Sequence, residues 1–230
     1  MGVILNINTA TDTAQVNFAT SGIVVSTLSN AIQKDHAAFL QIAIQELVVK
    51  TSMSLSDIDA VAVTYGPGSY TGLRVGLASA KGLCYALKKP LITINTLEAL
   101  TLSLQQTLQN DDINEALLFC PMIDARRMEV FTAIYNKPLK LFLQPCAMVL
   151  DETSFNKELE NNSILFFGNG SLKWRNICTH LNASFADISE ISASGIATLS
   201  HQYLLQKKFT ELAYSEPLYL KEFQDLPGKK

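Results

Sequence analysis

Arginine is nearly missing from this sequence: four in 230 residues, Arg74, Arg126, Arg127 and Arg175. A chain that grips nucleic acid by itself clusters Lys and Arg to displace phosphate counterions. Four scattered arginines and a net charge of −3 exclude that reading, so any nucleic acid in this protein's biology is held by a partner. Charge of either sign is thin, at 17% of residues against about a quarter in an average soluble domain. Histidine is scarce too. His36, His180 and His201 include no pair three or four residues apart, the usual basis of a metal site on a helix. The four cysteines Cys84, Cys120, Cys146 and Cys178 form no CxxC and stand far apart, which reads as buried reduced thiols in a cytoplasmic protein. No apolar run reaches the roughly 18 residues of a membrane span. The opening Met1-Gly2-Val3-Ile4-Leu5 has no basic lead, so no secretory signal is expected.

What is abundant is apolar material, at 48% of residues. Such a chain is not disordered. Its length allows one large domain or two small ones. Val3 to Asn8, Ala14 to Ala19 and Ile23 to Leu28 read as a three-stranded meander. A helix follows over His36–Lys50 with Asp35 as N-cap, then a strand over Ile58–Thr64. The turn Gly66-Pro67-Gly68-Ser69 leads into a helix over Thr71–Leu87. A strand over Leu91–Asn95 and a helix from a Thr96 cap to Leu108 complete this half. The second half repeats the plan. Strands over Leu117–Ile123, Met128–Tyr135 and Leu139–Leu150 precede a helix over Asp151–Glu160. Then come a strand over Ile164–Phe167, the turn Gly168-Asn169-Gly170-Ser171 and a helix over Leu172–Leu181. A helix over Ala193–Leu205 and the tail Glu216–Leu220 finish the chain. Two similar α/β domains are predicted, 1–108 and 109–230, with the polar Gln109–Asp112 as the boundary.

Gly66–Ser69 stands between a strand and a helix N-terminus, where unpaired amides can cradle a phosphate. It is not a Walker A loop, since no lysine follows the glycines, and the third glycine falls one place late for a dinucleotide fingerprint. A tight structural turn is the other reading. The helix beyond it carries Gly72, Gly76 and Ala80 at steps of four, with Gly82 also inside. Each interior glycine costs about 1 kcal/mol against alanine. Such a stripe admits either the chain's own sheet or a helix from another chain. On the preceding helix, His36, Phe39, Leu40, Ala43 and Leu47 share one face, and Ala38, Ile42 and Val49 lie nearly opposite. Two apolar faces suggest a helix held between its own sheet and a partner, or else inside an internal layer.

The block Gly66-Pro-Gly-Ser-Tyr-Thr-Gly-Leu-Arg74 and the following Val75-Gly-Leu-Ala-Ser-Ala-Lys-Gly-Leu83 closely resemble the TsaB family. Ile4 to Thr11, Asp124-Ala-Arg-Arg-Met-Glu-Val130, Gly168-Asn-Gly170 and Glu216-Pro-Leu-Tyr-Leu220 resemble it too, so the likeness spans nearly the whole chain. It implies a duplicated actin/hexokinase/Hsp70-like (ASKHA) α/β fold. It implies an accessory, non-catalytic subunit that binds and stabilises TsaD, the enzyme moving a threonylcarbamoyl group onto the adenosine beside the tRNA anticodon. The ATPase TsaE and a second copy of the chain are further implied partners. No cofactor is required of this chain on that reading; ATP or ADP and metal belong to the partners.

The family pairs through its two N-terminal-domain helices, so the partner interface is expected at His36, Phe39, Leu40, Ala43, Leu47, Gly72, Arg74, Gly76 and Ala80. Gly76→Leu is then expected to stop pairing and leave the monomer folded. Asn8, Thr9, Gly66, Gly68, Ser69, Asp124, Gly168 and Gly170 mark a possible nucleotide cleft. Two departures weaken catalysis. Asn8 stands where relatives carry a metal-holding aspartate, and Leu40, four residues after His36, breaks the paired-histidine helix of TsaD-like proteins. The rival reading is a stand-alone ATP-binding hydrolase or phosphotransferase using both glycine loops. A peptidase finds neither metal ligands nor a nucleophile–base pair.

Overall fold

Two five-stranded sheets share one strand plan in this computed structural model, which describes residues 2–32, 35–108 and 115–221. The first sheet has the order β3-β2-β1-β4-β5, from β1 (Val3–Asn8), β2 (Ala14–Thr20), β3 (Ile23–Asn30), β4 (Ala60–Gly66) and β5 (Leu91–Asn95). The second repeats it as β8-β7-β6-β9-β10, from β6 (Leu118–Asp124), β7 (Glu129–Tyr135), β8 (Leu141–Val149), β9 (Ile164–Phe167) and β10 (Ala183–Phe185). In each, a hairpin-linked antiparallel trio is extended by two parallel strands: β1 pairs antiparallel with β2 and parallel with β4, as β6 does with β7 and β9. β1 and β4 are buried almost throughout, which is why both are mostly apolar, with Asn6 and Asn8 of β1 buried as well.

The helices are α1 (His36–Thr51), α2 (Tyr70–Leu87), α3 (Thr96–Gln105), α4 (Asn156–Leu159), α5 (Ser171–Arg175) and α6 (Ala193–Leu205). The α3 cap is Asn95, whose side chain accepts from the amides of Leu97 and Glu98; Thr96 is the first helical residue instead. Asp35 makes no side-chain cap. The expected long helix over 151–160 shrinks to α4. The Asp151 carboxylate accepts from the Thr153 amide (2.9 Å) and hydroxyl (2.7 Å), and Phe155 has φ 60°, a conformation no helix continues through. The helix expected to Leu181 ends at Arg175 because Trp174 turns into the core and its carbonyl closes the turn with Ile177 and Cys178. β10, three residues long, has no period to betray it. The polar boundary Gln109–Asp112 lies outside the described residues.

The halves are interleaved. α6, in the second half by chain order, packs on β1, β3, β5 and α3 of the first, while α3 packs on β6 of the second. The last segment follows: the Thr210 amide donates to the Leu91 carbonyl (2.8 Å) and the Leu218 amide to that of Tyr65 (2.8 Å). One central core therefore joins Ile4, Ile92 and Leu100 to Phe119, Phe167 and Ile196. A second core lies between the first sheet and α1–α2, and a third, around Trp174, behind the second sheet.

All four cysteines are unpaired. Burial pushes the Cys84 thiol up to about 11 and Cys120 further. Only the thiolate is nucleophilic, so at pH 8 on the order of one Cys84 in a thousand is reactive. Iodoacetamide at pH 8 is expected to label the half-buried Cys146 and Cys178 first, and Cys84 and Cys120 only after denaturation, as peptide mass spectrometry would report.

Candidate functional site

The two glycine loops meet at a cleft of about 1150 Å³ between the sheets. Of the residues expected there, Gly68, Ser69 and Asp124 line it. Asn8 does not. It is buried, and its side-chain oxygen accepts from the Ala10 amide (3.1 Å) and the Thr64 hydroxyl (2.9 Å), which fixes the turn after β1. Thr9 is buried and donates to the Gly72 carbonyl (2.7 Å). Gly66 lies beneath the tail, where an added Cβ would come 2.6 Å from the Leu218 carbonyl oxygen.

The glycines serve chain-to-chain contact. A Cβ at Gly68 would lie 2.2 Å from the Ala10 carbonyl oxygen, and one at Gly168 2.2 Å from that of Met122. A Cβ at Gly170 would lie 2.8 Å from Val130 Cγ1 and 3.0 Å from the Ile123 backbone. Three of the loop amides are already bonded: Ser69 to Ala10 (2.8 Å), Gly170 to Met122 (3.0 Å) and Gly168 to Ile188 (2.7 Å). These amides do not form the phosphate cradle that the sequence allowed. Of the cleft's charged side chains, Asp124 is engaged within the chain. Asp124 pairs with Lys173 at 2.7 Å and caps the Arg126 amide at 2.6 Å. No group of three His, Cys, Asp or Glu positioned to hold a metal occurs among the described residues. Arg126, Asp12 and Asn169 line the cleft without having been singled out. Asn169 accepts from the Asp124 amide (2.9 Å), and nothing in its spacing announces that.

The partner-face expectation is corrected in detail. His36, Leu40, Ala43 and Leu47 are buried in the chain's own structure, and His36 donates from Nε2 to the Asp12 carbonyl (3.1 Å). Leu40, Ala43 and Leu47 pack into the core under the first sheet, and full burial stabilises each leucine by about 1.5–3 kcal/mol. Gly72 and Gly76 face Thr9, just after β1, with Gly76 also against Val63 of β4, and Ala80 is buried in the same core. Phe39 is half-buried against the same core. Arg74 alone of the nine is exposed, held by the Tyr70 hydroxyl at 2.6 Å. Each helix carries two faces of matching spacing, and the chain's own sheet covers the one that spacing alone offered to a partner.

The outer faces are therefore the available ones. On α1, Ala38 is exposed, Ile42 is 63% exposed and Val49 80%. On α2, Ala78, Gly82 and Ala86 form a second small-residue row at steps of four beside Tyr85, 80% exposed. The helices stand side by side, with Gln41 donating to Ser79 (3.3 Å). Gly82 differs from every other described glycine: a Cβ there would meet nothing within 4 Å.

The chain matches the family model described as TsaD, tRNA N6-adenosine threonylcarbamoyltransferase, over residues 22–224. It is similar to the tRNA threonylcarbamoyladenosine biosynthesis protein TsaB of Haemophilus influenzae, 26% identical over 239 residues, covering 99% of this chain and 98% of the relative. A 65-residue stretch, 28% of the chain, is 45% identical to the tRNA N6-adenosine threonylcarbamoyltransferase of Clostridium novyi and covers 19% of that protein. YeaZ from Pseudomonas aeruginosa superposes with a TM-score of 0.78 at 22% identity, over 96% of this chain and 100% of that one. The fold is the duplicated actin-like α/β fold.

Proposed function

We propose that this chain, which belongs to the family described as TsaD and within it to the TsaB family, serves tRNA threonylcarbamoyladenosine biosynthesis as a non-catalytic subunit that binds and stabilises TsaD. The observation that carries this reading is the joint outer face of α1 and α2. Ile42, Val49 and Tyr85 leave large apolar area in water on neighbouring helices, and contiguous apolar patches mark interaction surfaces. Between them the Ala78–Gly82–Ala86 row lowers the helix profile. Interaxial distance follows the side chains at the contact, so a smooth row lets a facing helix come close. Gly82 weakens an exposed helix by about 1 kcal/mol and meets nothing within the monomer that would require it. A facing helix from outside supplies the reason.

The same face fits a second copy of the chain, which makes homodimer and TsaD complex alternatives for one surface. The bonding of the Ser69, Gly168 and Gly170 amides within the chain supports a subunit over a stand-alone phosphotransferase. TsaE is proposed as a further member of the assembly.

Gly82→Leu tests the proposal. The side chain has room, and leucine favours the helix, so the isolated variant is expected to melt about 2–4 °C higher than the parent. Co-expressed with TsaD from the same organism, it is expected to lose co-elution on size exclusion. Co-elution of Gly82→Leu with TsaD at the parent's yield would remove this face from the interface.

A further inference from the structure

A second cavity, of about 490 Å³, lies away from both the cleft and the α1–α2 face. It opens beyond the carboxyl ends of β4 and β5, where α/β sheets commonly hold ligands. Tyr65 ends β4, Asn95 ends β5, and Glu98 sits in the first turn of α3. Tyr135 comes from β7 and Tyr203 from α6, so both halves of the chain build its walls. Leu139, Leu141 and Leu218 supply an apolar flank.

Among the residues lining this cavity are one carboxylate, Glu98, and one cation, Lys208, and the two are not paired with each other. Glu98 is half-buried, and its carboxylate accepts from the Tyr203 hydroxyl at both oxygens (2.8 and 2.7 Å). It takes part in no ion pair among the described residues. The nearby cation, Lys208, does not pair with it; its ammonium sits over the Tyr203 ring, 3.7 Å from the centroid. The Tyr203 face therefore already holds a cation. Burial, and next the Glu98 charge, push the Tyr135 and Tyr203 phenols far up, so both stay neutral with their π-faces and hydroxyls intact. An anion here would meet Glu98, and an apolar guest would strand a desolvated carboxylate. An ammonium or guanidinium group satisfies the carboxylate and lies against phenol rings, an arrangement that recognises cations.

We propose that this cavity binds a small free organic cation, with a primary ammonium or guanidinium head at Glu98 and a short apolar body against Leu139 and Leu218. The volume suits a small molecule, since such sites run from about 300 to 1000 Å³. Lys208, exposed and anchored on one ring, is the internal competitor that an incoming cation displaces.

Calorimetric titration of the full chain with butylammonium and with agmatine tests this, with 1-butanol and butyrate as neutral and anionic counterparts. Butylammonium and agmatine are expected to bind at least about tenfold tighter than butanol or butyrate, the factor expected of about 1.4 kcal/mol. Glu98→Gln is expected to weaken butylammonium about tenfold. Lys208→Met, which keeps the stem and removes the charge, is expected to tighten it about threefold. Equal binding of butanol and butylammonium would overturn the proposal, as would no heat from either cation at about 10 mM. Should Glu98→Gln misfold by circular dichroism, the exposed Lys208→Met still decides: unchanged or weaker binding there counts against a cation site. None of these readouts involves TsaD, so their failure leaves the pairing face untouched.

Discussion

A Gly76→Leu chain is expected to be a strongly destabilised monomer, with its melting midpoint lowered by about 10 °C. A Cβ at position 76 would lie 2.2 Å from Thr9 Oγ1 and 3.4 Å from Val63. Thr9 is buried, and its hydroxyl donates to the Gly72 carbonyl at 2.7 Å, so it cannot swing aside without losing that bond. Overpacking costs about 1–3 kcal/mol and more when nothing can yield. The broken buried hydrogen bond adds about 1 kcal/mol, and a domain of this size loses about 2–4 °C per kcal/mol. Gly72→Ala behaves alike, because its Cβ would come 2.0 Å from the Thr9 carbonyl oxygen, and backbone cannot give way. Circular dichroism melts check both. A Gly76→Leu melt within about 3 °C of the parent would show that α2 does not sit this tightly on the turn after β1. Set beside Gly82→Leu, which is expected to stabilise the monomer and lose the partner, the pair separates two roles of glycine on one helix.

That separation shows where sequence reading stops. α2 carries a small residue every four places on two faces, 72-76-80 and 78-82-86. Periodicity marks both rows, but only tertiary contact assigns one to β1 and β4. α1 poses the same ambiguity: Leu40-Ala43-Leu47 and Ala38-Ile42-Val49 are both apolar, and the sheet covers the first. The strand positions were more legible, because β1, β4, β6 and β9 are mostly apolar and each is followed by a turn signal. The glycine loops were located correctly along the chain. Their use was not legible, since the atoms that fill the space around Gly68 and Gly168 belong to Ala10 and Met122, far away in sequence. The Glu98 cavity was out of reach for the same reason: residues 65, 98, 135 and 203 form no local pattern. Short elements such as α4 and α5 were overdrawn because a left-handed Phe155 or an inward Trp174 leaves no compositional trace.

Trp174→Ala is expected to cost about 3–5 kcal/mol, the range for truncating a buried tryptophan. Trp174 is the sole tryptophan and is 1% exposed. Its ring lies 4.4 Å from Phe166, 5.0 Å from Phe155 and 5.9 Å from Phe185, centroid to centroid. Removing it opens the third core along the whole back of the second sheet. Trp174→Phe should cost far less, about 1–2 kcal/mol. It keeps a ring in the cluster and deletes the indole N–H, a buried donor with no partner among the described residues, and an unmade hydrogen bond of that kind carries a penalty of about 1–3 kcal/mol. Urea titrations followed by circular dichroism measure both variants, because the parent's fluorescent reporter is the residue removed. The consequence for pairing is separate. α1 and α2 rest on the first sheet through a different core. Below its lowered midpoint, Trp174→Ala is therefore expected to co-elute with TsaD as the parent does. If Trp174→Ala lost TsaD while its circular dichroism matched the parent's, the partner surface would have to extend to the second sheet.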